Sequence, residues 1–279
     1  MNYQYLRYLA RTGITYLHPH RREATELLIA QLDLRPGEQV LEIGCGSGAT
    51  LVEIALRYPV QLRGIDLLEE MLAVARRRVR LCGLTGRIQL QQGRENIPLP
   101  FADASFDKVY CESVLGIQDA ASAQLMLGEI YRVLKPEGRF VTNEAIWKTG
   151  IPEDRIATIN RAGLSNFGLR QASEEPWTLP NWLALFRTHG FTAIACPLLA
   201  DLPRTSGTLP VRPQPGKRWR SEALTRMLQL KSLLHPGLLR ERRRYRQLLH
   251  QHRGDGQFVE ARLFTLLKTR KVFDEAALP

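Results

Sequence analysis

Cysteine is scarce in this chain of 279 residues, and the four present, Cys45, Cys82, Cys111 and Cys196, lie far apart. They make no CxxC pair and no metal-ligand spacing, which excludes a disulfide framework and a thiolate metal site. The expectation is reduced thiols in a cytoplasm, with no bound metal. Arsenite methylation, which needs cysteines within reach of one another, finds no such pair in the sequence. Long apolar runs are lacking too. None reaches 18 residues, so no membrane-spanning helix is expected. Residues 1–11 are aromatic and interrupted by Arg7 and Arg11, without the apolar core and cleavage site of a secretory signal. There is no internal repeat, no low-complexity tract, and no appended RNA-binding module.

Charge is abundant but unevenly placed. The net charge is +11, yet residues 1–201 hold 22 Lys/Arg against 22 Asp/Glu. Residues 202–273 hold 17 Lys/Arg against 4 Asp/Glu. The basicity therefore belongs to a late segment and not to the body of the chain.

Hydrophobic spacing predicts two helices within residues 3–33, broken at His18-Pro19, the second carrying Ala24, Leu27, Leu28 and Leu32. Buried-type strands are expected over 39–43, 60–65, 88–92, 106–112 and 138–143, with helices over 49–58, 68–82 and 121–134. Such alternation implies a parallel, doubly wound sheet. A helix over 179–189 and strands over 192–200 and 258–268 follow, the strands reading as an edge hairpin. Between them, 203–215 reads as a loop. Residues 218–234 place Leu224, Met227, Leu228 and Leu234 on one helical face. After His235-Pro236-Gly237, residues 238–252 combine Leu238, Tyr245, Leu248 and Leu249 with Arg240, Arg242, Arg243, Arg244 and Arg246. The expected fold is α/β: a Rossmann-like, doubly wound, seven-stranded, mostly parallel sheet with an antiparallel edge hairpin and a helical insertion. The expected division is a helical cap over 1–34, a cofactor-binding core over 35–200, a basic insertion or lid over 201–256, and the last strand and tail over 257–279.

The run Val40-Leu41-Glu42-Ile43-Gly44-Cys45-Gly46-Ser47-Gly48 joins a strand to a helix through a glycine loop. Glycines let the backbone turn and approach a ligand, and the helix start offers free N–H groups. Gly44, Gly46 and Ala49 also satisfy the loose dinucleotide pattern, so an NAD enzyme stays open on spacing alone. Glu42 argues against it, because a carboxylate at the mouth of the loop repels a pyrophosphate and suits a ligand with an ammonium and a sulfonium. Asp66, which ends the second strand, suits ribose hydroxyls with either cofactor. It also reads as a helix N-cap before Leu68.

With these go Gly64-Ile65-Asp66, Ile97-Pro98-Leu99-Pro100-Phe101, Ala104-Ser105-Phe106-Asp107 and Arg132-Val133-Leu134-Lys135-Pro136-Glu137-Gly138, in order. On these markers the chain, over residues 15–195, resembles the class I S-adenosylmethionine-dependent methyltransferases, in the small-molecule branch that methylates ubiquinones, sterols and terpenoids. The resemblance implies S-adenosyl-L-methionine as cofactor. It implies Gly44, Cys45, Gly46 and Gly48 beside the methionine and ribose, and Glu42 facing the amino group. It puts Asp66 on the ribose, and Leu67 with Met71 near the adenine. Gly93, Arg94 and Glu95 would follow beside the adenine, and Glu112 and Ser113 below the methyl donor. The family commonly has Asp where this chain has Arg94, which has no acceptor atom. Glu95 or a backbone carbonyl would then meet the adenine amino group.

Methyl transfer asks chiefly for alignment, because the donor is already activated. A general base is needed only if the acceptor must lose a proton. Glu144, His18 and Tyr16 are the catalytic candidates, with His20, Glu112, Asn143 and Trp147 as further pocket candidates. The arginine run over 240–246 is open to four readings: a solvated helix face, an anionic membrane surface, a phosphorylated substrate, or RNA. A lid that shapes the acceptor pocket is the preferred one, with peripheral membrane contact as an added role. The expected acceptor is a small molecule, hydrophobic or phosphorylated. The alternatives are a cofactor-binding scaffold without turnover and an RNA methyltransferase. A nucleic-acid partner is disfavoured, because the Asn/Asp-Pro-Pro-aromatic loop of amino-methylating enzymes is missing. The sequence carries no signal for oligomeric state.

Overall fold

A computed structural model describes residues 2–16, 20–95, 98–175, 177–202 and 215–269. Seven strands form one sheet: β1 (Gln39–Ile43), β2 (Gln61–Asp66), β3 (Ile88–Gln92), β4 (Phe106–Glu112), β5 (Leu134–Trp147), β6 (Phe191–Ala195) and β7 (Val259–Lys268). Their order is β3-β2-β1-β4-β5-β7-β6. The first five run parallel, whereas β7 lies antiparallel between β5 and β6. The doubly wound parallel sheet is thus as the alternation predicts. The two late strands do pair with each other, but β7 is interior and only β6 forms the edge.

Helices cover both faces. α2 (Arg21–Leu32), α3 (Ala49–Arg57) and α4 (Glu69–Leu81) bury Leu28, Leu32, Leu51, Ile54 and Leu72 in a core with Val40 and Leu62. On the opposite face α5 (Ala120–Val133) and α7 (Leu179–Thr188) bury Leu127, Ile130, Trp182 and Phe186 against Leu41, Phe140 and Phe264. Val40 and Leu41, adjacent in β1, enter different cores because successive side chains of a strand point to opposite faces.

Two elements depart from expectation. β5 runs past Asn143 and Glu144, whose polarity marked an end in the sequence. It continues because β7 supplies a partner from Arg139↔Leu267 through Trp147↔Val259. α6 (Glu153–Phe167) was not expected at all, although Glu153 and Asp154 occupy its first turn and Gly168, at φ 73°, caps its end. Acidic residues at the start and a left-handed glycine at the stop are ordinary helix signals.

The insertion is the predicted helical hairpin, α8 (Pro215–Leu234) and α9 (Pro236–Gln251), while the predicted loop over 203–214 lies outside the described residues. The single apolar face of α8 is corrected. Leu224 is buried, whereas Met227 and Leu234 are exposed. The inward face also carries Leu228, so close to the end of α1 (Gln4–Thr12) that a Cβ on Gly13 would stand 2.5 Å from its Cβ. His20, a pocket candidate, is exposed at the start of α2.

Candidate active site

Parallel strands bring the carboxyl ends of β1, β2, β3 and β4 to one edge of the sheet, where ligands of open α/β folds bind. Beyond β1 the chain turns sharply, with Gly44 N–H and Cys45 N–H both donating to the Ile65 carbonyl at 2.8 and 3.0 Å. Gly44, Gly46 and Gly48 have φ of 72°, 49° and 72°, a left-handed conformation that favours glycine. Their roles differ. A Cβ on Gly44 would stand 2.5 Å from Val114 Cγ2, and one on Gly48 3.0 Å from Ala75 Cβ, whereas one on Gly46 would meet nothing within 4 Å. Gly44 and Gly48 let the loop rest on its neighbours, and Gly46 leaves the backbone open to a ligand.

Carboxylates surround this opening. Asp66 accepts from Gly46 N–H at 2.7 Å and from Leu68 N–H at 2.9 Å, which braces the loop across two strands. The helix cap before α4 is Leu68 itself, without a side-chain bond. Burial pushes the Asp66 carboxyl above the usual range. Glu42 is buried and accepts from the Tyr110 hydroxyl at 3.0 Å. Burial, and then the nearby Glu112, push its carboxyl well up. Glu112 accepts from Thr25 Oγ1 at 2.7 Å and Thr50 Oγ1 at 2.9 Å. Ser113 is held at φ 56°, its hydroxyl buried with no hydrogen-bond partner among the described residues.

These groups open on a cavity of about 1830 Å³. A single drug-sized ligand fills roughly 300–1,000 Å³, so two molecules fit side by side. Of the residues expected at the cofactor, Glu42, Gly44, Cys45, Gly46, Asp66, Leu67, Met71, Gly93, Arg94, Glu95, Glu112 and Ser113 line it. Gly48 does not, being turned to α4. At the third strand, Gly93 N–H donates to the Asp66 carbonyl at 2.9 Å, and the Tyr3 hydroxyl donates to Glu95. Glu95 is thereby engaged by the N-terminal segment, and Arg94 is exposed where it lines the cavity.

The catalytic candidates part company. Glu144 is fully buried, and its carboxylate accepts from the backbone N–H groups of Val114, Leu115 and Gly116 at 3.2, 3.1 and 2.9 Å and from Thr142 Oγ1 at 2.7 Å. Those bonds hold the loop after β4 in place, with Oε1 accepting from Val114, Leu115 and Thr142 and Oε2 accepting from Gly116. Tyr16 lines the cavity at φ 57°. Burial raises its phenol, which keeps the group neutral and able to donate a hydrogen bond. His18 lies outside the described residues. Trp147 turns away, donating from Nε1 to the Ser173 carbonyl at 2.8 Å, and Asn143 is buried in β5 off the cavity.

Sequence reasoning missed the outer wall, formed by Tyr3, Tyr5, Leu6 and Leu9 of the N-terminal segment and Leu249 of α9. The aromatic N-terminus was visible, but nothing local ties residues 3–9 to residue 249. It also missed Arg78, which is 1% exposed. Its Nε donates to the Ser47 carbonyl at 2.9 Å, and its Nη1 donates to Ser221 Oγ at 2.7 Å and Thr225 Oγ1 at 3.1 Å. This buried guanidinium joins the back of the glycine loop to α8.

An open glycine at a helix start, a carboxylate bracing the loop from the second strand, and further carboxylates at the entrance fit a nucleoside bearing cationic groups. That combination of fold and site defines a class I S-adenosylmethionine-dependent methyltransferase. Residues 40–138 match the methyltransferase domain family. A demethylmenaquinone methyltransferase of Symbiobacterium thermophilum is 39% identical over 190 residues, covering 58% of this chain and 72% of that protein. The chain belongs to this methyltransferase family, and its cofactor is S-adenosyl-L-methionine. The fold is shared with phosphoethanolamine N-methyltransferase 2 of Haemonchus contortus, solved with S-adenosyl-L-methionine (TM-score 0.66, 19% identity, 95% of this chain and 56% of that one). It is shared as well with the [4+2]-cyclase SpnF (TM-score 0.62, 19% identity, 88% and 80%). The same scaffold serves different chemistries, so here the transfer reaction rests on the sequence relatives and the site.

Proposed function

We propose that this small-molecule methyltransferase acts on an uncharged, largely apolar acceptor. The observation that carries the proposal is the charge of the cavity wall. Asp66, Glu95, Glu112 and Asp119 line it, with Glu129 already paired to Arg132 at 2.7 Å, while the guanidiniums are those of Arg94 and Arg170. Arg170 is already bridged to Glu174 at 3.0 Å. A phosphorylated acceptor would enter a net negative field, whereas the apolar wall of Tyr5, Leu6, Leu9, Ile14 and Leu249 suits a hydrocarbon skeleton.

The bound cofactor supplies a methyl group activated on a sulfonium. In this account Asp66 holds the ribose hydroxyls, Glu42 faces the amino group, and the Gly46 backbone approaches the methionine part. Leu67 and Met71 meet the adenine, with Gly93 and the backbone of Arg94 and Glu95 at its edge. Ser113 offers its hydroxyl below the methyl group. Tyr16 orients the acceptor as a hydrogen-bond donor, and Glu144 acts through the loop it holds. Residues 1–34 and the insertion at 201–256 select the acceptor, over a cofactor core at 35–200 completed by the strand within 257–279. An apolar acceptor partitions into lipid, and contact of the α8–α9 hairpin with a membrane belongs to the same reading. Among the described residues no helix is long and apolar enough to cross one. A cytoplasmic setting is part of the proposal, supported by four free thiols.

The test is transfer of radiolabelled methyl from S-adenosylmethionine into a cell extract, followed by partition between organic solvent and water. Label in the neutral organic fraction is expected. Label confined to phosphorylated metabolites or to RNA would contradict the proposal.

A further inference from the structure

The helix α8 is two-sided. Its inner side is fastened to the body by Leu224, buried, by the Arg78 bonds to Ser221 and Thr225, and by the close approach of Leu228 to Gly13. Its outer side exposes Trp219, Met227, Leu230, Leu233 and Leu234, the last two-and-a-half turns leaving Leu230 62% and Leu234 83% exposed. At 100° per residue these five fall within about a third of the helix circumference. The end of α4 continues the same surface. Arg77 Nη2 reaches Met227 Sδ at 3.6 Å, Arg220 Nη1 donates to the Leu81 carbonyl at 3.3 Å, and Leu81 is itself exposed.

Cations border the apolar stripe, Arg77 and Arg80 on α4 and Arg220 and Lys231 on α8, and Arg226 stands within it, all exposed. Across residues 215–251 the sequence holds ten Lys/Arg and two Asp/Glu. Both acids are taken, Glu222 by Arg218 at 3.2 Å and Glu241 by Arg11 at 2.6 Å. A face of aliphatic side chains and tryptophan beside exposed positive charge matches an interfacial helix on anionic lipid, where the apolar groups enter the headgroup boundary and the cations meet phosphate. A second copy of the chain would set cation against cation. Nucleic acid would leave the leucines in water. The arginines of α9, which first drew attention in the sequence, stand on the neighbouring helix and add to the field without carrying the apolar stripe.

We propose that the outer face of α8, with the end of α4, docks this enzyme on an anionic membrane surface through Trp219, Leu230 and Leu234. The proposal extends the reading of an apolar acceptor by naming the surface that would deliver it. The docking itself needs neither cofactor nor acceptor, so its failure and the failure of that reading are separable.

The test uses the full chain without cofactor. It is titrated with vesicles of phosphatidylcholine alone and of equal parts phosphatidylcholine and phosphatidylserine, by co-sedimentation and tryptophan fluorescence. Of the four tryptophans, Trp147 and Trp182 are fully buried, Trp177 is partly buried and Trp219 is 59% exposed, so the contribution of Trp219 is read as the difference from Trp219→Phe. Binding at least about tenfold stronger to the anionic vesicles is expected, weakening with salt, with a blue shift that Trp219→Phe abolishes. The double variant Leu230→Glu/Leu234→Glu, at exposed positions, should cut binding about tenfold or more while melting and cofactor affinity stay unchanged. Equal binding to both vesicles, or binding indifferent to that double variant, would overturn the proposal. So would light scattering that shows a dimer in the native chain and a monomer in the double variant.

Discussion

The cavity and the hairpin treat charge in opposite ways. In the cavity, carboxylates are buried and tied to the backbone: Asp66 to Gly46 and Leu68, Glu144 to the loop after β4. On the hairpin, arginines and lysines stay in water beside exposed leucines. Buried charge is costly unless hydrogen-bonded, so the cavity invests backbone donors in holding negative groups against a cationic ligand. Exposed charge costs little and acts at longer range. A chain of net charge +11 thus carries a negative site inside a positive protein. The charge of the whole chain describes what it drifts toward, and that of the cavity describes what it binds.

The sharpest way to break this contrast is to cut the cofactor side. Asp66→Ala removes the proposed ribose acceptor and the brace on Gly46. Affinity for S-adenosylhomocysteine, measured by calorimetry, should fall about 100-fold, or ~2.7 kcal/mol. Vesicle binding should not change. Arg78→Met tests a buried guanidinium that joins the glycine loop to the hairpin. It leaves the Ser47 carbonyl without its donor and frees α8 from the loop. We expect cofactor affinity to fall about tenfold. Amide exchange over residues 44–49 should quicken. The lost burial cost of an arginine, whose ionisation burial already disfavours, offsets part of the effect on stability. Unaltered affinity and exchange would separate the hairpin from the cofactor loop. The smallest effect belongs to the proposed acceptor wall, where Tyr5, packed also on Phe167 and Tyr245, offers only part of its ring, and Tyr5→Ala should raise the acceptor KM roughly threefold to tenfold. Its cofactor affinity should match that of the native chain.

What the sequence disclosed follows from what is local. β1, the glycine loop, α3, β3 and β4 were legible, because a contiguous apolar run or a glycine cluster specifies each. The site residues at the strand ends were legible for a related reason, since a parallel sheet brings every carboxyl end to one edge. What stayed hidden depends on distant partners. The extension of β5 needs β7, more than a hundred residues later. The division of labour among Gly44, Gly46 and Gly48 needs Val114 and Ala75. The two faces of α8 cannot be told apart until Ser221 and Thr225 meet Arg78. Only α6 was missed with its signals in plain view, its buried positions Ile156 and Ile159 being too few to show periodicity.

The negative cavity itself is tested by counting protons. Burial raises the Glu42 carboxyl, so the cofactor-free protein keeps its proton to a higher pH than a free carboxyl does. A ligand cation favours the ionised form, and binding must then release a proton and tighten as pH rises. Calorimetric titration of S-adenosylmethionine in buffers of different ionisation enthalpy, over a series of pH values, measures this directly. The account predicts proton release in the native chain and its loss in Glu42→Gln. Binding with proton uptake, or with a release that survives Glu42→Gln in full, would contradict it.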